Sequence, residues 1–225
     1  MKKTILYCFG MMVVGFVVSG LCWNLVPDLM PSHWNMSGVA DKFSEKKWML
    51  LSFPVLSFLV PLGLLAILQV DPRNRNVEQS GRAVHALVVS LSGFFIAMHL
   101  MTIQASLQAD KSLSVSTLTA GLCCLIMVLG NFMPKVKSNF FLGIRTPWTL
   151  DNETVWHKTH RLAGKTMTAS GLLGIPTALF LPTPFNFGVS MGIMLLGLII
   201  PTVYSYLYFK EELRKALQPP QGDSA

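Results

Sequence analysis

The chain has 225 residues, of which 52% are apolar and only 13% charged, with a mean hydropathy of +0.50. That balance excludes an ordinary soluble globule and points to an integral membrane protein. A net charge of +7 would suit nucleic acid, but basic residues of membrane proteins gather in cytoplasmic loops, so their placement decides their meaning.

Six apolar runs of spanning length are expected within one polytopic domain covering 1–225: about 5–26, 48–70, 83–107, 113–133, 166–181 and 187–209. The first follows Met1-Lys2-Lys3. Val18-Ser19-Gly20 resembles a signal-peptide cleavage site, yet the run continues to Val26 and reads as a retained anchor. Pro27 to Lys47 balances three acids with three lysines, and Pro27, Pro31 and Gly38 argue for a structured loop over a helix. The second run holds Pro54 and Pro61, tolerated in a membrane helix where neighbours satisfy the carbonyls that proline frees. A short basic loop with Arg73, Arg75 and Arg82 leads to the third run, which contains His85 and His99, and a link with Asp110 and Lys111 leads to the fourth. The polar interval Gly130 to Gly164 separates the fourth run from the fifth. After the sixth, KEELRKALQPPQGDSA reads as a short charged helix followed by a disordered end.

If the N-terminus is cytoplasmic, fourteen of the eighteen Lys and Arg residues lie on the cytoplasmic side. The expected fold is therefore an all-α membrane protein of six transmembrane helices in the cytoplasmic (inner) membrane, with both termini inside. The five tryptophans, Trp23, Trp34, Trp48, Trp148 and Trp156, fall at or near the water boundaries, as an amphipathic ring prefers. Met30-Pro31 and Met133-Pro134 close the first and fourth runs and precede comparable polar loops, the pattern of an inverted three-plus-three repeat. Cys8, Cys22, Cys123 and Cys124 sit inside apolar runs without zinc or disulfide spacing and read as buried thiols.

No Asp, Glu, Lys or Arg lies in the core of a span, where ion-coupled carriers usually keep one. The intramembrane polar candidates are His85 and His99, about 40° apart around one helix. They suit hydrogen bonding to a neighbouring helix, with a proton path or substrate site as the other reading. In the outer loop, Asp28, His33, Trp34, Asn35, Gly38 and Asp41 form a platform suited to a peptide or lipid; nothing in their spacing is specific for a metal.

The inner interval divides in two. Lys135 to Pro147 is basic and turned, with Phe140, Phe141 and Leu142 expected to dip into the membrane interface. Asp151 to Ala163 is expected to be a separate amphipathic interfacial helix, acidic at its start and basic at its end. Glu153, His157 and His160 share a face at i, i+4 and i+7 but lack the zinc-protease pattern, and read as a polar surface. The interval reads as a docking surface made of Lys135, Asn139, Gly143, Arg145, Thr146, Pro147, Trp148, Trp156, Lys158, Thr159, His160 and Arg161. No nucleophile-base set, phosphate loop or paired intramembrane acids are present, so neither catalysis nor a cofactor is expected.

Two motifs carry a family resemblance. The second half, through Gly130-Asn131, Met133-Pro134-Lys135, Asn139, Gly143-Ile144-Arg145-Thr146-Pro147-Trp148-Thr149-Leu150 and Trp156 with Lys158-Thr159-His160-Arg161 through Gly164, resembles the SdpI-type immunity protein family. The first half, through Pro27-Asp28, Pro31, His33-Trp34-Asn35, Gly38 and Asp41, resembles the domain of unknown function associated with it; Ala40 stands where members often have proline. The resemblance implies a membrane protein that protects against a secreted toxic peptide and, when toxin is present, holds a transcriptional repressor at the membrane. The outer loop would then meet the peptide and the inner interval the repressor. A small-molecule or lipid transporter lined by His85 and His99 is the first alternative, and an envelope enzyme using His33, Asp41 or His160 the second.

Overall fold

The computed structural model describes residues 1–35, 37–182 and 185–217. The polypeptide forms α1 (Lys2–Cys22), a hairpin of β1 (Leu29–Trp34) and β2 (Ala40–Glu45), α2 (Lys46–Gln69), α3 (Asn74–Gln79), α4 (Gly81–Leu107) and α5 (Val115–Phe132). A 3₁₀ turn, Met133–Lys135, follows, then α6 (Pro147–Asp151), α7 (Glu153–Phe180) and α8 (Phe185–Leu217). Helices α1, α2 and α4 pack on one another, as do α5, α7 and α8, and α4 meets α5 between the two groups. The hairpin lies at one end of the bundle; the basic interval and α3 lie at the other.

The protein is thus mostly helical and multi-pass. Among the described residues, α1, α2, α4, the α5 segment and α8 are long and apolar enough to cross a membrane. The run expected as the fifth span falls in the C-terminal part of α7, which is not one of these five and whose first turns carry Lys158, Arg161 and Lys165. The interfacial helix expected over Asp151 to Ala163 is therefore not a separate element. Asp151 ends α6, Asn152 turns the chain and caps α7 by accepting from the Val155 amide at 3.1 Å, and the helix then runs unbroken to Phe180. A second refinement concerns 27–47, whose centre is an antiparallel hairpin in which Leu29 pairs with Glu45 and Trp34 with Ala40. The charged helix after the sixth run is the continuation of α8 to Leu217; the disordered end expected beyond it lies outside the described residues.

Proline explains how the groups hold together. A proline inside a helix has no N–H, so the carbonyl four residues earlier loses its donor, and lipid supplies no water to replace it. Pro54 frees the carbonyl of Leu50, which accepts the Ser19 hydroxyl of α1 at 2.7 Å. Pro61 frees that of Ser57, which accepts the Ser92 hydroxyl of α4 at 2.6 Å. Pro201 of α8 frees that of Gly197, which accepts the Thr166 hydroxyl of α7 at 2.7 Å. At Pro54, Pro61 and Pro201 the broken intrahelical bond thus becomes an interhelical one, whereas Pro176 of α7 has no such interhelical donor among the described residues. Small residues allow the close approach: a Cβ at Gly15 would press on Pro54, and one at Gly171 or Gly197 would collide with Cys123 or Ser170.

Replacing Ser92 by Ala, or Thr166 by Val, should cost about 1 kcal/mol of unfolding free energy in bicelles, because each leaves a proline-freed carbonyl unpaired. Ser90→Ala, which removes a hydroxyl bonded only to Ala86 of its own helix, should stay within about 0.5 kcal/mol of the parent.

Candidate functional site

The two polar ends are built differently. At the hairpin end, Asn35 organises the turn: its side-chain oxygen accepts the amides of Ser37 and Val39 at 2.9 and 3.1 Å. Gly38 adopts φ +78°, and its carbonyl accepts the Leu113 amide at 2.8 Å, so a side chain there would be strained and would strike Leu113. The Trp34 indole N–H donates to the Lys111 carbonyl at 3.0 Å. The hairpin is therefore moored to the α4–α5 link by the residues flanking its turn. His33 Nδ1 and Asp41 Oδ1 lie 2.6 Å apart across the strands, both well exposed. The Lys46 ammonium, 2.8 Å from Asp28, holds that carboxyl below the usual carboxylate range. Beneath Trp34 lies a mostly apolar cavity of about 310 Å³ walled by His33, Asn35, Met98, Leu113, Leu118 and Phe187. Asp28, His33, Trp34, Asn35, Gly38 and Asp41 thus all belong to one small structure, with His33 and Asp41 presented outward.

At the basic end, residues from both helix groups interlock. Asp71, at the end of α2, is buried; its carboxylate accepts the Arg73 and Phe140 amides, each at 2.7 Å. Arg73 donates to the Ser138 hydroxyl and to the Leu150 carbonyl at 2.8 Å, and its guanidinium lies over the Phe140 ring. Asn76 donates to the Ser138 carbonyl at 2.8 Å, and Ser80 accepts the Lys137 amide at 2.9 Å. Asn139 ties its own turn, accepting the Phe141 and Leu142 amides. In the sequence Arg73 reads only as one charge of a basic loop, and Asp71, Asn76 and Ser80 carry no motif. The signal available was an acid, Asp71, followed closely by Arg73 just past a span, a placement that also fits a plain solvated loop.

His160 anchors the second layer. It is buried, stacks on Trp156 with ring centres 3.9 Å apart, and has its Nδ1 2.9 Å from the Trp156 carbonyl. Its Nε2 accepts the Ile144 amide at 3.0 Å, which makes Nδ1 the protonated nitrogen. Burial pushes the imidazole down to about 4 from its ordinary 6.5. Trp156 in turn donates to the Val136 carbonyl at 2.8 Å. Gly143 has φ +102° and lies against His160, where any side chain would collide with the ring. The Thr146 and Thr149 side chains form a reciprocal cap with Pro147 in the first turn of α6, and Trp148 reaches α8, donating to Ser205 at 2.8 Å beside Tyr206 and Phe209. Lys158 also meets α8, at Glu211 and Glu212, 3.3 and 3.0 Å away; these carboxylates hold its ammonium above the usual lysine range.

This geometry revises the expected docking surface. Asn139, Thr159, His160 and Trp156 are buried, so their work is internal, and Gly143, Thr146, Trp148 and Lys158 are engaged by neighbours. Lys135, Arg145, Pro147 and Arg161 remain exposed. His160 leaves the polar face assigned to it with Glu153 and His157, because its indole stack and two hydrogen bonds outweigh exposure. Phe141 and Leu142 likewise pack inward, against Cys8, Leu65, Leu68, Val84 and Val88, rather than into the membrane interface. His85 and His99 both face α1: His85 Nδ1 is 2.9 Å from the Thr4 hydroxyl, and His99 Nε2 is 3.0 Å from that of Ser19. Among the described residues, no three His, Cys, Asp or Glu side chains are grouped to hold a metal ion.

Residues 135–205 match the SdpI/YfhL protein family, and residues 10–58 match a domain of unknown function, DUF1648. The chain is 24% identical over 214 residues to the immunity protein SdpI of Bacillus subtilis (strain 168), covering 94% of this chain and 98% of that protein. No solved structure matches the chain significantly. The likeness to that immunity protein thus extends over nearly the whole chain, while the SdpI/YfhL match is confined to its second half; the chain is a multi-pass protein of the cytoplasmic membrane.

A side chain at Gly143 cannot coexist with the His160 stack, so Gly143→Ala should lower the unfolding free energy by about 2 kcal/mol or more, read by thermal unfolding in detergent. Because the folded state holds His160 neutral to about 4 and the unfolded chain protonates near 6.5, its contribution is fully present above pH 7. Up to roughly 3 kcal/mol is lost as pH falls from about 6.5 to 4. A His160→Gln variant should lack that component of the pH dependence.

Proposed function

We propose that this chain, similar along its length to an immunity protein, is a non-enzymatic membrane immunity and signalling protein that confers resistance to a secreted antimicrobial peptide. Six helices cross the membrane with both termini in the cytoplasm: α1, α2, α4, α5, the apolar part of α7, and α8. The two helix groups are the halves of an inverted repeat within a single domain covering 1–225. The observation that carries the reading is the match to the immunity protein SdpI over 94% of this chain and 98% of that protein, beside the two family matches over 135–205 and 10–58.

The hairpin meets the peptide outside. His33 and Asp41 offer a polar pair on its surface, and the recess under Trp34 offers apolar contact. The exposed cations of the basic end, Lys135, Arg145 and Arg161, form the cytoplasmic docking surface that holds a repressor. The Asp71–Arg73 clamp joins both helix groups beside that surface, so a ligand-dependent change in packing between the groups would be felt there.

The test is survival of a sensitised strain exposed to a panel of membrane-active peptides. Production of the protein should raise survival against at least one peptide. His33→Ala should reduce that protection, whereas Arg145→Ala should reduce repressor recruitment with protein levels unchanged. No survival difference for the parent protein across the panel, or both variants behaving as the parent, would overturn the assignment.

A further inference from the structure

At the basic end an open groove of about 430 Å³ lies between the end of α5 and the first turns of α7. Its walls are Asn131, Pro134, Arg161, Gly164, Lys165 and Thr168. The groove exists because the elements touch without side chains between them: a Cβ at Gly164 would collide with Pro134, and one at Gly130 would reach the backbone and side chain of Thr168. Arg161 and Lys165 stand four residues apart, one above the other on α7 and both exposed. Neither has a carboxylate within ion-pair distance among the described residues, whereas Lys158, one turn earlier, is held by Glu211 and Glu212.

Two other recesses at this end contain an acid: Glu78 lines the one beside α3, and Glu211 the one on α8. The α5–α7 groove has two cations, an amide and a hydroxyl, and no acid in its lining. One turn further along α7, Leu172 and Leu173 are each 60% exposed. Cations and hydrogen-bond donors at headgroup level, continuous with an apolar surface below, are the two halves of a phospholipid's own chemistry.

We propose that this groove binds an anionic phospholipid of the adjacent leaflet, its phosphate between Arg161 and Lys165 and an acyl chain along Leu172 and Leu173. The site shares Arg161 with the proposed cytoplasmic docking surface but requires neither peptide nor repressor, so lipid retention tests it separately from that reading.

The test is native mass spectrometry of the full chain released from detergent with dioleoyl phosphatidylglycerol or dioleoyl phosphatidylcholine. The parent should retain one phosphatidylglycerol at concentrations where phosphatidylcholine is lost, and R161Q/K165Q should weaken retention about tenfold or more. K210Q/R214Q, which removes equal charge on α8, should leave it within about twofold, and inorganic phosphate at millimolar concentration should not displace the lipid. Equal retention by R161Q/K165Q, an equal loss in K210Q/R214Q, or displacement by inorganic phosphate would each overturn the assignment. Unchanged thermal unfolding of R161Q/K165Q in lipid-free detergent would separate lost binding from lost folding.

Discussion

A carbonyl without a donor is the constraint on which this structure turns. In lipid such a group has no water to fall back on, and every mid-helix proline makes one. Ser19, Ser92 and Thr166 answer three of them across helix boundaries, so sites that would weaken isolated helices become the seams joining them. Ser19 carries a further obligation. With its hydrogen given to Leu50, its oxygen can accept from His99 Nε2, and the polar cluster of α1, α2 and α4 closes around a single hydroxyl.

The same logic operates at the basic end with backbone amides in place of carbonyls. Between Val136 and Thr146 the chain is largely irregular, and an irregular segment next to a membrane must find partners for its amides. Asp71, Asn139 and His160 accept those of Phe140, Phe141, Leu142 and Ile144. The polar residues of the long motif are therefore mostly consumed in holding its own shape, while Lys135, Arg145 and Arg161 are left exposed around it. The hairpin end shows the opposite economy. Asn35, Gly38 and Trp34 fix the turn and its mooring, while His33 and Asp41 stay in the open.

The contrast between Lys158 and its neighbours shows how placement on one helix divides roles. Lys158 points to α8 and is neutralised there by two glutamates, which ties the tail helix to α7. Arg161 and Lys165 turn to the other side, toward α5, where Pro134 and the glycines leave a recess instead of a partner. Identical charges on consecutive turns thus become a structural tie in one case and an open site in the other.

Composition alone determined that the chain lives in a membrane, because an apolar surplus of this size has no soluble solution, and the positions of the apolar runs located most of its helices. The need to satisfy proline-freed carbonyls was also legible, since it follows from covalent structure. Which hydroxyl would answer which carbonyl was not, because Ser19 and Leu50, or Ser92 and Ser57, are brought together only by helix packing. The same holds for the inner motif. His160 and Trp156 have the spacing of a helix surface, and an isolated helix would expose the imidazole; burial came from the returning segment at Gly143 and Ile144. Asp71 gave no sign of its partnership with Phe140, 69 residues away, because a carboxylate's role depends on which amides the fold delivers to it.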